Sequence, residues 1–174
     1  MKQNTERLLN LTNQLLDFRK TETQGFRLNF AECNITELLR ETYLRFTSLA
    51  KQKGLDFKLQ LPEGDLLAHV NKEALTKIIS NLLNNAVKYS ESYVQISLEV
   101  DQRAEKNVFR IRTVNDGAII PDAMKEKIFQ PFVRFTEEGE RQVATGTGIG
   151  LALSRSLAEF HQGTLQMDKG ELTN

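Results

Sequence analysis

Residues 71–90 read NKEALTKIISNLLNNAVKYS, and two patterns lie on this one stretch. Leu75, Ile78, Ile79, Leu82, Leu83 and Ala86 recur at helical spacing, so residues 72–90 form a helix with one apolar face, and Asn71 is placed to cap its first turn. Asn81, Asn85 and Lys88 fall at i, i+4 and i+7, one polar stripe beside that face. Asn is a poor interior helix former, so helix propensity does not explain two amides and an ammonium in line. An Asn carbonyl oxygen suits a hard cation such as Mg²⁺, and a nearby Lys suits phosphate. Taken alone, the stripe reads first as a solvated face, because polar stripes on amphipathic helices are the rule.

Downstream, Tyr93–Val100 and Val108–Val114 alternate apolar and polar residues around the charged turn 101–107, which predicts a hairpin. Phe109, Ile111, Thr113 and Asn115 share one face of the second strand, and Arg110, Arg112, Val114 and Asp116 share the other. The arginines mark the solvent side, so Asn115 points toward the helices and Asp116 away. Upstream, Asn34 and Glu37 make a capping-box pattern for a helix to about Lys53, stopped by Gly54. Leu55–Leu61 and Leu66–Val70, separated by Pro62–Asp65, read as a hairpin, and Phe26, Leu28 and Phe30 as a strand. Residues 5–20 read as a helix with Leu8, Leu11, Leu15 and Phe18 at heptad positions, widened by Leu9 and Leu16. Toward the other end a short helix from Pro121 to Phe129, a glycine cluster Gly146–Leu151 opening a helix to about His161, and a strand Thr164–Met167 complete the pattern. A helix start of this kind receives phosphate oxygens on its backbone N–H groups, and a flexible loop is the alternative. Asn115-Asp116-Gly117 likewise reads as a plain turn or as a base-reading strand end.

The chain is 174 residues long, one domain's worth with a short appendage, and its 23 basic and 23 acidic side chains cancel. That balance removes any general attraction to nucleic acid or membrane, and no apolar run approaches the roughly 18 residues that span a bilayer. The single Cys33 excludes an internal disulfide framework and reads as a small buried hydrophobe in a reducing compartment. His69 sits near a strand end and His161 in a last helical turn, both ordinary structural places.

In order and spacing, Asn81–Tyr89 resembles an N box, Asn115-Asp116-Gly117 a first glycine box, Ile128-Phe129-Gln130-Pro131-Phe132 an F box and Gly146–Leu151 a second glycine box. The set resembles the ATP-binding catalytic domain of sensor histidine kinases, of the kind found in hybrid two-component sensors, within the gyrase, heat-shock chaperone, histidine kinase and mismatch-repair ATPase superfamily. Arg7–Lys20 is similar to the second helix of the kinase dimerisation domain. The resemblance implies an α+β fold, a two-layer sandwich with a mixed sheet covered by helices on one face and preceded by a dimerisation helix. It implies a division into residues 1–24, the tail of that helix, and 25–174, the catalytic domain cut short of its final strand.

By the same resemblance Asn85 ligates Mg²⁺ with Asn81 as its supporting neighbour, and Lys88 contacts phosphate, so that Asn81 and Lys88 carry the catalytic roles. Tyr89 walls the adenine side, and Asn115, Asp116 and Gly117 form the base-reading corner. Gly146, Thr147, Gly148, Ile149, Gly150 and Leu151 receive the phosphates, residues 133–145 form an ATP lid, and Phe129 and Phe132 anchor its hinge side. ATP-hydrolysing members carry a glutamate one turn before the metal-binding Asn; here that place is Asn81, which cannot act as a base, so kinase is favoured. Alignment on Pro121 puts Asn115 where the family has Asp and Ile119 where it has a second Gly, which keeps a module that dimerises without turnover as the rival. The implied partners are a phosphoacceptor-histidine helix of the same parent protein, a response regulator receiver domain and a second copy in a homodimer. A cytoplasmic location and no nucleic-acid or membrane contact are also implied.

Overall fold

A computed structural model describes residues 12, 13, 15–19, 29–101, 108–135 and 146–168. The chain divides into two compact units, Leu28–Ala118 and Met1–Arg27 with Ile119–Asn174.

The first unit is built on two helices. Helix α1, Ile35–Gln52, starts where Asn34 Oδ1 accepts from the Glu37 N–H at 3.1 Å. The reciprocal half of a capping box is not made, because the Glu37 carboxylate is 2.6 Å from Arg40. The helix stops at Gly54, whose φ of 72° is the left-handed conformation that glycine takes without strain. Helix α2, Lys72–Tyr89, is capped by Asn71, whose side chain accepts from the Ala74 N–H at 2.8 Å.

Strands β1 (Ala31–Asn34), β2 (Asp56–Gln60), β3 (Leu67–Val70), β4 (Tyr93–Asp101) and β5 (Val108–Asn115) form two sheets. The larger has the order β2-β4-β5, with β2 parallel and β5 antiparallel to β4, so the sheet is mixed, as expected for this α+β sandwich. Val94, Ile96 and Leu98 of β4 are buried. Ala86 and Val87 of α2 pack with Val94, and Phe46, Leu55 and Phe57 close over them, so the apolar faces of both helices meet the sheet.

The hairpin expected of residues 55–70 does not form. β2 joins β4, and β3 pairs antiparallel with β1, Ala31 opposite Val70. The cause is a clasp at the start of α1: Ile35 N–H donates to Leu66 O at 2.8 Å, and Thr36 Oγ1 accepts from Leu66 N–H at 3.1 Å and donates to Gly64 O at 3.5 Å. These bonds turn the 62–66 connection toward β1. The strand expected at Phe26–Phe30 correspondingly lies at 31–34, where β3 supplies a ladder; Phe30 is outside it, and Phe26 and Leu28 lie outside the described residues. Cys33 is half-buried rather than buried.

In the second unit, helix α3 (Asp122–Lys125) passes into a 3₁₀ turn at Lys127–Phe129, and helix α4 spans Gly150–Phe160. Ile149, Ala152, Leu153 and Leu157 are buried, as are Ile128 and Phe129. Arg155 joins these pieces: its guanidinium lies 4.2 Å from the Phe129 ring centroid and donates to Glu126 at 3.0 and 3.1 Å, and its Nε donates to Leu165 O at 3.2 Å. Residues 164–167 form no strand; the Leu165 carbonyl takes the arginine in place of a ladder partner. Residues 12, 13 and 15–19 are helical, whereas Leu8, Leu9 and Leu11 of the same heptad lie outside the described residues.

Candidate functional site

Within the first unit the N-box stripe and the strand end meet at the C-terminus of α2. Asn81, Asn85 and Lys88 are half-buried, and Tyr89 is 49% exposed. The Asn85 carboxamide makes no hydrogen bond among the described residues, so a half-buried oxygen is available to a hard cation. Mg²⁺ takes one or two protein oxygens plus phosphate oxygens and water, and this donor set fits it. No cluster of three or more His, Cys, Asp or Glu offers a metal site among the described residues. Lys88 Nζ lies 2.6 Å from the Tyr89 hydroxyl, which orients the ammonium at the helix end.

A residue from outside the helix fixes that end. Lys53 Nζ donates to the carbonyls of Val87 at 2.8 Å and Lys88 at 3.1 Å, a cation on the negative end of the helix. Nothing in the sequence around Lys53 marks this role, because its partners are backbone atoms 34 and 35 residues away.

The corner at 115–117 is set by three residues with different tasks. Asn115 lies opposite Val94, on the face shared by Phe109, Ile111 and Thr113, which are half-buried while Arg110, Arg112 and Val114 are exposed. Asp116 turns the other way. Its carboxylate accepts from the backbone N–H groups of Glu91, Ser92 and Tyr93 at 2.9–3.1 Å and from the Ser92 hydroxyl at 2.6 Å. The Ser92 hydroxyl above all, joined by the backbone donors of Tyr93, Ser92 and Glu91, holds its pKa well below the usual carboxylate range, against an opposing desolvation second in size to the Ser92 bond. Gly117 is obligatory for a steric reason: a Cβ there would stand 1.8 Å from the Tyr89 carbonyl oxygen and 2.9 Å from Asn115 Nδ2. The Asn115 amide, Gly117 and the end of α2 therefore converge. Thr113 Oγ1, two residues back on the Asn115 face, is buried without a hydrogen-bond partner among the described residues.

The second unit holds the remaining boxes. Gly148 has φ 71°, its carbonyl accepts from the Phe132 N–H at 2.9 Å, and a Cβ on it would stand 2.9 Å from Phe132 Cα. Phe132 itself has φ 66° and is exposed, whereas Phe129 is buried, so the two F-box rings are placed differently. The start of α4 carries no side-chain cap at Ile149, and Thr147 Oγ1 accepts from the Ile149 N–H at 3.3 Å. Gly146, Thr147, Gly148, Ile149, Gly150 and Leu151 thus lead into a helix N-terminus suited to anions. Of the segment 133–145, residues 136–145 lie outside the described residues. His161 Nδ1 lies 2.7 Å from Leu157 O in the last turn of α4, and His69 stacks at 6.2 Å on Phe30.

Residues 70–173 match the family profile described as histidine kinase-, DNA gyrase B- and HSP90-like ATPase. Sensor histidine kinase WalK of Bacillus subtilis is 28% identical over 167 residues, 96% of this chain and 27% of that protein. The catalytic domain of histidine kinase ThkA is 30% identical with a TM-score of 0.62, covering 76% of this chain and 81% of that one. ThkA in complex with the response regulator TrrA gives 26% identity and a TM-score of 0.73 over 98% of this chain and 46% of that one. The chain spans about a quarter of the WalK relative.

Proposed function

Since the chain belongs to the histidine kinase-, DNA gyrase B- and HSP90-like ATPase family, we propose that it binds Mg·ATP and transfers the γ-phosphoryl group to a histidine on a separate dimerisation helix. In that step the bond between the γ-phosphorus and the β–γ bridging oxygen breaks, a P–N bond forms to the imidazole, ADP leaves, and the imidazole N–H proton passes to solvent. We assign residues 1–24 to the tail of the dimerisation helix and 25–174 to the catalytic domain.

The observation that carries this reading is the half-buried Asn85, without a hydrogen bond among the described residues, on the same helix face as Lys88, with Gly117 packed on the helix end. Asn85, supported by Asn81, would hold Mg²⁺, which when bound offsets phosphate charge. Lys88 would hold a phosphate oxygen, and Asn115 beside Tyr89 would orient the base. The N–H groups from Gly146 to Leu151 would receive the phosphates. Phosphoryl transfer asks mainly for such positioning and charge neutralisation. Asn81, an amide, does not take a proton from water, which favours transfer over hydrolysis. The ThkA–TrrA complex supports a response regulator as the downstream acceptor, and the exposed Leu15 and Leu16 of the N-terminal helical segment support a homodimeric parent. No helix among the described residues is long and apolar enough to cross a membrane.

The test is a thermal shift with Mg·ATP. Ligand at about a hundred times its Kd stabilises by about 2.7 kcal/mol, so the shift is readable, and Asn85→Ala is expected to abolish its Mg²⁺-dependent part. An unchanged shift in the variant, or steady phosphate release with no label transferred to the parent's dimerisation domain, would overturn the reading.

A further inference from the structure

The edge of a purine that carries position 6 exists in two forms of opposite polarity. A 6-amino purine offers a donor at N6 and an acceptor at N1; a 6-oxo purine offers an acceptor at O6 and a donor at N1. A carboxylate only accepts, so it takes the first and repels the second. The carboxylate at this corner, Asp116, is saturated by the 91–93 backbone and the Ser92 hydroxyl, on the face away from Asn115. What the strand presents toward the end of α2 is neutral. The Asn115 amide carries both an acceptor oxygen and a donor nitrogen, and no hydrogen bond among the described residues fixes which of them faces outward. Its χ2 is a soft two-fold torsion, so half a turn exchanges the two. Thr113, the second polar group on that face, has a buried hydroxyl that either donates or accepts and has no partner among the described residues to commit it.

We infer that the purine subsite at Asn115 and Thr113 accepts 6-oxo purine nucleoside triphosphates alongside ATP. The inference rests on the reading of this corner as a nucleotide site. Sites that reject an analogue by factors of about 10⁴ do so because a buried group of fixed polarity is left unpaired, and neither of these two groups has a fixed polarity. Affinity therefore comes mainly from the phosphate and sugar contacts, which the two nucleotides share, and position 6 is not discriminated.

Calorimetric titration of the whole chain with Mg·ATP and with Mg·inosine triphosphate tests this, inosine being chosen because it lacks guanine's 2-amino group. For the wild type the two Kd values are expected within about tenfold of each other. Asn115→Asp, isosteric and at an exposed strand end, is expected to hold ATP and to weaken inosine triphosphate by about a hundredfold, because O6 then meets a charge. Thr113→Val is expected to weaken both nucleotides severalfold. ATP binding with inosine triphosphate excluded, or a ratio that Asn115→Asp leaves unchanged, would overturn the inference while the nucleotide site stands. Unaltered affinities in Thr113→Val would remove that hydroxyl from the subsite and overturn its half of the inference. Failure of every nucleotide to bind would overturn the functional reading and this inference together.

Discussion

Three consecutive N–H groups around one carboxylate, as at Asp116, make an internal anion nest that pins the turn leading into β4. Asp116→Asn keeps the size but sets an NH₂ among donors, and for so exposed a group the loss is about 1 kcal/mol of stability. The sign with pH follows from the depressed pKa. The contribution is complete above the unfolded value of 3.8 and is lost as pH falls through the lower folded value. The gap in urea midpoint between wild type and variant is therefore expected to be constant near neutral pH and to narrow below about pH 4. A gap that widens on acidification would contradict the nest. The direction of Asn115 and Asp116 was legible because two arginines alternate with Phe109, Ile111 and Thr113. The destination of the Asp116 carboxylate was not, since its acceptor role is met by three backbone groups and one serine hydroxyl 23–25 residues away, a pairing no local pattern marks.

At the scale of elements, local chemistry was legible wherever the deciding partner was local. Asn34 and Asn71 both cap the helices their positions announce, three residues before the N–H they bind. Asn71 also donates from Nδ2 to Asn29 O at 3.0 Å, tying the approach of β1 to the start of α2. Asn71→Ala removes both bonds, and denaturant titration is expected to show a loss of about 1–2 kcal/mol. A loss under about 0.5 kcal/mol would mean that neither bond contributes. The pairing of β2 and β3 was illegible for the opposite reason. Two alternating runs around a Pro-Glu-Gly-Asp turn fit a hairpin, and the Thr36 clasp that separates them lies 28 and 30 residues from its partners. Strand alternation fixes which face is buried; it does not choose the neighbour.

For the molecule as a whole, Leu15 and Leu16 stand 40% and 54% exposed on a helical segment whose heptad pattern begins upstream. Sedimentation is expected to show weak, concentration-dependent association that Leu15→Asp reduces; a strict monomer at high concentration in the wild type would remove this expectation. The parallel pairing of β2 with β4 carries a kinetic consequence. β4 and β5 are joined by a short connection and close as a local hairpin, whereas β2 reaches β4 only after residues 61–92, with all of α2, have folded back. Non-local ladders close late because loop entropy is lost before their contacts form. Pulse-labelled hydrogen exchange during refolding is expected to protect amides of 94–101 and 109–115 before those of 56–60. The chain would then pass through a stage in which one edge of β4 is an open template for any extended segment that reaches it first, so aggregation during refolding should fall when β2 is stabilised and rise when it is weakened.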